Sequence, residues 1–303
     1  MSNQMQNINI ISQEIPSQQE IKGRSLWANA RSRLFRNKAA VSSMVVLLII
    51  SLSAIFAPYL SHYSYDEVDF SKFASAPSIE DKHYLGTDAN GRDLLARVLN
   101  GGRISLSVGL VATFVSMLIG VSWGATAGFI GGRIDAIMMR IVDILYAMPF
   151  MFFVIMLTVV FEKSIFLIYI AIGAISWLDM ARIVRGQAIS LRRKEFVEGA
   201  MACGVSNFNI IRRHIIPNAL GPVVIYCTLT VPAVILTESF ISFLGLGVQE
   251  PHTSWGMLIS EGVRTMETSW WMLVFPASFL AVTLFCFNYI GDGLRDALDP
   301  KDR

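Results

Sequence analysis

The order of apolar and polar positions divides the chain into six long apolar runs, at about 39–57, 104–129, 144–161, 165–184, 219–243 and 271–290. Each is near the roughly 20 residues that a helix needs to cross a bilayer. The fourth is the shortest in its uninterrupted part, Ile165 to Leu178, and reaches spanning length only by continuing past Asp179. Two polar stretches between the runs look organised. In the segment 61–103, Asn90-Gly91 marks a turn, and Leu94, Leu95, Val98 and Leu99 then form the apolar face of a short helix expected on the membrane surface. The stretch 186–217 joins the fourth and fifth runs and holds two short helical patterns around Gly204. The pattern predicts an all-α, polytopic membrane protein.

Composition points the same way. Hydrophobic residues make up 53% of the chain and charged residues 16%, and the mean hydropathy is +0.52, which excludes an ordinary soluble domain. The net charge of +2 averages two opposed sides. With the N-terminus in the cytoplasm, Lys72, Lys82, Arg92, Arg97, Arg103, Lys163 and Arg264 fall outside and the remainder of the 25 Lys and Arg fall inside. The outer stretches also carry Asp66, Glu67, Asp69, Glu80, Asp81, Asp88 and Asp93. Both termini and the 186–217 stretch are thus expected in the cytoplasm, and 61–103 outside.

Residues 1–22 are rich in Gln and Ser and read as a disordered cytoplasmic tail. From 23 to 38, Leu26, Trp27, Ala30 and Leu34 recur at helical spacing beside Arg24, Arg31, Arg33 and Arg36. This predicts a basic interfacial helix, the alternative being a charged flank that simply orients the first span. The region 39–303 is read as one transmembrane domain.

Candidate chemistry is sparse. Cys203, Cys227 and Cys286 imply no disulfide framework, and His62, His83, His214 and His252 show no metal-ligand spacing. No G-x-x-x-x-G-K-[ST] occurs in these 303 residues, so ATP would have to be split by a partner. No bound cofactor, metal or nucleic acid is expected. Gly120, Gly124 and Gly128 form a doubled G-x-x-x-G, a face where helix backbones approach closely, either within the bundle or against a second subunit. Glu238 is an acid within the fifth run, where an ionisable group is costly unless it has a purpose. It reads either as a pathway or outer-gate residue or as a carboxylate that holds the Ser239-to-Gly247 turn.

Between the fourth and fifth runs, Glu198-Gly199-Ala200, Gly204 and Ile216-Pro217 keep the spacing of the EAA loop of bacterial ABC importer permeases. Glu-Gly-Ala stands for the usual Glu-Ala-Ala, and His214 stands where the general pattern carries Ile. Three further segments extend the likeness: Gly86-Thr87-Asp88 through Gly91-Arg92-Asp93, Glu238-Ser239-Phe240 through Gly247, and Phe287-Asn288 through Asp299-Pro300. Together with Ser176 to Gln187, these identify the chain as resembling the peptide and nickel permease family of ABC importers, from about Gly23 to Arg303.

The resemblance implies the type I importer permease architecture in a bacterial inner membrane. It further implies a heteromeric complex: this chain, a second homologous permease, two cytoplasmic ATPase subunits that bind ATP and Mg, and a periplasmic peptide-binding protein. Glu198, Gly199, Ala200, Gly204, Ile216 and Pro217 would form the loop that docks the ATPase and couples it to alternating access. The cargo implied is oligopeptides, with dipeptides, glutathione or nickel as alternatives in the same family. From the residues alone, Ser206 is suited to cap the second short helix, Arg212 and Arg213 to its last turn, and Pro217 to the start of the fifth span. A secondary transporter driven by an ion gradient is the other class compatible with a polytopic bundle. It lacks the expected paired broken helices and intramembrane carboxylate chain.

Overall fold

The computed structural model describes residues 26–160 and 165–298, so the tail expected at 1–22 lies outside the described residues. Helix α1 spans Leu26–Arg36 and is followed by α2, Lys38–Ile55. Asn37 caps α2, its side-chain oxygen accepting from the backbone N–H groups of Ala39 and Ala40 at 3.1 and 3.2 Å. After the short α3, Ala57–Leu60, the chain runs without regular structure to α4, Leu94–Ile130. Then follow α5, Gly132–Ala147, α6, Phe150–Val160, and α7, Ile165–Arg192. Two short helices, α8 (Glu195–Ala202) and α9 (Asn207–Ile210), lead through a π-helical turn, Ile211–Ile215, into α10, Ile216–Phe243. Helices α11, Trp255–Arg264, and α12, Trp271–Leu298, complete the described chain. Two isolated β-bridges, Val68 with Arg92 and Thr87 with Asp93, are the β-structure among the described residues, so the all-α expectation holds.

Among the described residues, Lys38–Ile55, Leu94–Ile130, Asn207–Phe243 and Trp271–Leu298 are long and apolar enough to cross a membrane. The second run proves to be the distal part of α4, which starts ten residues earlier than its apolar stretch. No separate surface helix exists at 94–99: Leu94, Val98 and Leu99 are buried in the bundle. The third run, 144–161, does not form one helix. Met148 adopts an extended conformation before Pro149, which disfavours the helical region for its predecessor and has no N–H to donate. The fifth run likewise begins before Pro217. The helix is continuous from Asn207, and a π turn just ahead of the proline provides the wider ladder that its ring demands, with Ile216 donating to Ile211. Arg212 and Arg213 therefore sit in mid-helix, in the π turn, rather than in a last turn.

Helix α4 is the centre of the bundle, and its main partner is α7. A Cβ added to Gly120 would lie 2.6 Å from Met180 Cβ, one on Gly128 would lie 2.5 Å from the Arg185 carbonyl oxygen, and one on Gly124 would collide with the Ala181 carbonyl oxygen. The G-x-x-x-G face is thus occupied within this chain. Between the two helices lie Val121, Ala125, Phe129, Met180, Val184 and Ala188, all buried.

At the other end of α4 the packing is organised around Trp255, which is fully buried. Its ring lies over Gly102, where a Cβ would come within 2.8 Å, and its indole N–H donates to the Val98 carbonyl at 3.0 Å. The same end buries charge. Arg97, with no exposed surface, donates to Glu261 at 2.7 and 3.1 Å and pairs with Asp88. Asp88 also accepts from Arg92, which reaches on to Glu250 at 2.9 Å. Burial pulls the Arg92 guanidinium down, but its bonds to Glu250 and Asp88 outweigh this and hold it above its ordinary value. Asp93 caps α4 by accepting from Ala96 at 2.8 Å, and its second oxygen meets His83 Nδ1 at 2.9 Å beneath the stacked ring of Tyr63. The segment ahead of α4 is therefore tied to the bundle by ion pairs rather than by regular structure.

Two stability outcomes follow, both read as thermal unfolding in mild detergent. Gly124→Ala forces α4 off α7 and lowers stability by about 1–3 kcal/mol, whereas Gly186→Ala, at an open position of α7, is neutral or raises it by up to about 1 kcal/mol. Arg97→Leu strands Glu261, takes one of two arginines from Asp88 and costs about 3–5 kcal/mol, the usual loss on breaking a buried pair.

Candidate functional site

Lys194, extended at the N-cap position, turns the chain out of α7 and into α8. Glu195 and Glu198 fall in the first turn of α8, where the positive end of the helix dipole favours them. Val197 is buried and anchors the helix, packing into a cluster with Val184 and Ala188 of α7 and with Ile210, Ile211 and Ile215. The C-terminus closes in a Schellman arrangement: Val205 N–H donates to the Ala200 carbonyl at 3.1 Å and Gly204 N–H to that of Met201 at 3.0 Å. Gly204, at φ +73, is the residue that permits it. Ser206 occupies the N-cap position of α9, as its type suggests, but its hydroxyl makes no capping bond.

Glu198, Gly199 and Gly204 are all exposed, with no other atom within 4 Å of a Cβ added to either glycine. Ala200 turns partly inward against the Val197 cluster, which Ile216 also touches, and Pro217 is exposed beside it. The sequence reading missed the apolar component of the surface: Phe196, Met201, Val205 and above all Phe208, 70% exposed. The available signal was the occurrence of large apolar residues in an otherwise polar connection. Behind Glu198 lies a cleft of about 420 Å³, lined by Gly128, Asp135, Arg192, Arg193, Glu198 and Met201. Arg192 closes one side by donating to the Ile130 carbonyl at 3.2 Å.

Glu238 lies at the opposite end of α10 and has no exposed surface. Ser105 of α4 donates to one carboxylate oxygen at 3.1 Å and Ser242 to the other at 2.7 Å. Each serine oxygen in turn accepts from backbone, Ser105 from the N–H of Trp255 and Ser242 from that of Val248, both at 3.3 Å. One carboxylate thereby joins α4, α10, the turn after α10 and the start of α11. Close backbone contacts frame it, since a Cβ on Gly247 or Gly256 would run into Ser242 or Ser239. Glu238 and the α8 surface are separate sites. Among the described residues, no three His, Cys, Asp or Glu side chains converge as metal ligands.

Comparison with known proteins gives the fold and the family. Residues 116–303 match the family described as "Binding-protein-dependent transport system inner membrane component", and residues 25–77 match the "N-terminal TM domain of oligopeptide transport permease C". The chain is 58% identical over 284 residues to the oligopeptide transport system permease protein OppC of Escherichia coli K12, covering 94% of each chain. It is 56% identical to the OppC of Haemophilus influenzae, covering 94% of this chain and 91% of that one. To the dipeptide transport system permease protein DppC of Bacillus subtilis it is 42% identical, covering 92% of this chain and 87% of the relative. Among solved structures, the fold is similar to a chain of the inward-facing MetNI methionine ABC transporter, with a TM-score of 0.55 at 18% identity, over 68% of this chain and 96% of that one. On the extent of these matches, the chain belongs to the family of inner membrane components of binding-protein-dependent transport systems.

Proposed function

We propose that this chain is a permease subunit of an ATP-driven importer of oligopeptides in a bacterial inner membrane. It crosses the membrane six times with both termini in the cytoplasm and forms the pathway together with a second homologous permease. Two cytoplasmic ATPase subunits bind ATP and Mg, and a periplasmic binding protein delivers the peptide. Hydrolysis occurs on the ATPase subunits, not on this chain. Oligopeptides are preferred over dipeptides, glutathione or nickel because the OppC proteins of Escherichia coli K12 and Bacillus subtilis, at 58% and 46% identity, are more similar than the DppC of Bacillus subtilis, at 42%. An ion-coupled carrier finds no support in the family match.

The observation that carries the partner assignment is the α8 surface. It exposes Phe196, Met201, Val205 and Phe208 around Glu198, Gly199 and Gly204, yet it is firmly held from beneath by Val197. Exposed apolar side chains on and beside an anchored helix suit the reception of a folded partner such as the ATPase subunit. Transmission follows from continuity. The residues that grip Val197 lie at the start of the helix that runs unbroken from Asn207 to Phe243, so a displacement of α8 moves that helix as a body. Closure of the ATPase pair would drive the alternation of access by this lever.

Glu238 supports a positioning role at the outer end better than direct contact with cargo, because its two oxygens are already taken up by serines that orient backbone. The turn it fastens, 244–254, lies where the helix carrying the α8 displacement ends.

The function is tested by purifying the assembled complex, reconstituting it in liposomes and measuring ATP-driven uptake of a tetra-alanine peptide. Uptake driven by an ion gradient without ATP would overturn the proposal. In the same preparation, Phe208→Ser removes the most exposed of Phe196, Met201, Val205 and Phe208 and weakens association with the ATPase subunits about thirtyfold, as for an interface residue worth about 2 kcal/mol, while the unfolding midpoint stays unchanged. Glu198→Arg should likewise lose ATPase subunits from a folded chain. For Glu238, the Gln variant can still accept from one serine and retains most uptake, whereas Glu238→Leu leaves Ser105 and Ser242 without their acceptor and lowers the unfolding midpoint. Full stability with abolished uptake in Glu238→Gln would instead indicate contact with cargo.

A further inference from the structure

A second carboxylate in the apolar part of the chain has no such structural employment. Asp179, half-buried in the middle of α7, makes no hydrogen bond or ion pair among the described residues. It lies on the wall of a cavity of about 370 Å³ bounded by Leu145 and Tyr146 of α5, Ile172 and Ser176 of α7, and Thr237 of α10. The cations nearest in sequence are committed elsewhere. Arg182 donates to Asp143 at 2.9 Å and lies 4.3 Å above the Tyr146 ring, and Arg185 grips Asp135 through two bonds of 2.6 and 2.7 Å. Neither α6 nor α10 carries a Lys or Arg, and the two arginines of α5, Arg133 and Arg140, are exposed and outside the cavity lining. Within the run 165–184, read above as a span, an acid held in no ion pair is costly, and such residues face a water-filled cavity and serve a cationic or protonic function.

The lining narrows the ligand. Leu145, Ile172 and the Tyr146 ring supply apolar surface, and Ser176 and Thr237 supply hydroxyls, the mixture of a site for an organic group rather than of an oxygen cage for a bare metal ion. We propose that this cavity is a station on the translocation pathway that receives the ammonium group of a passing peptide, with Asp179 as its countercharge and Tyr146, Ser176 and Thr237 as its walls. The proposal rests on the oligopeptide importer reading above and adds to it a recognition element within the permease. Amine-headed lipids carry the same ammonium chemistry, so the test must separate them from peptide.

Thr237→Cys places a thiol on the half-buried α10 wall of the cavity, in the complex reconstituted into liposomes of phosphatidylglycerol and phosphatidylcholine. A cationic methanethiosulfonate reagent should modify it about tenfold faster, relative to an anionic one, when Asp179 is present than in the Asp179→Asn background. Tetra-alanine and ATP should slow the reaction. Asp179→Asn should lower tetra-alanine uptake about tenfold, with Asp179→Glu restoring a measurable part of it. The inference is overturned if the two reagents react with the same ratio in both backgrounds, or if protection requires phosphatidylethanolamine and not peptide. It also fails if Asp179→Asn transports like the parent. A parent complex that takes up no peptide at all, while the reagent preference persists, would instead defeat the oligopeptide reading and leave a cation-selective cavity in need of another cargo.

Discussion

Two helices surrounded by lipid gain little by turning apolar side chains toward each other, because the lipid tails are equally apolar. What holds α4 to α7 is the distance of approach, and that distance exists because Gly120, Gly124 and Gly128 present no side chain to Met180, Ala181 and Arg185. With the backbones this close, dispersion contacts accumulate along the shared face. Both functional regions depend on the contact. Helix α7 carries Asp179, Arg182 and Arg185 toward α5, and its end delivers the chain into α8, whose anchor Val197 rests on Val184 and Ala188.

The two ends of the molecule are built by different physics. On the side of α8 the fixing is apolar, a buried cluster under a surface that stays open to solvent. On the side of α11 it is polar, with Arg97 satisfied by Asp88 and Glu261, and Glu238 by Ser105 and Ser242. A polar network buried at that end is directional and fixes which groups face each other, whereas the apolar cluster under α8 tolerates the whole unit moving together. A single long helix, continuous from Asn207 to Phe243, connects them.

Much of this was legible in the sequence. The apolar runs found the long helices, the glycine spacing found the packing face, and Gly204 marked the end of α8. Where the reading slipped, a local signal met a tertiary compensation. The second apolar run was read to begin at about 104, beyond Arg97 and Gly101-Gly102. The helix continues through them because Arg97 is neutralised by residues 9 and 164 positions away, and because the glycines make the notch for Trp255. Pro217 looked like a helix start, but a π turn absorbs it. Asp179 looked like the awkward extension of a short span, and only the pairing of Arg182 and Arg185 with α5 leaves it unpaired.

By itself, then, the sequence determined the class of the protein, its long helices and the family to which it belongs, because bilayer thickness and backbone hydrogen bonding leave few ways to arrange apolar runs of this length. Tertiary structure alone decided which charged groups neutralise one another, which carboxylate is enclosed and which is left facing a cavity, and which apolar residues of the 194–217 stretch are anchor and which are surface. Those outcomes depend on contacts between residues far apart in the chain, and no local pattern encodes the distance between Arg97 and Glu261 or the emptiness beside Asp179.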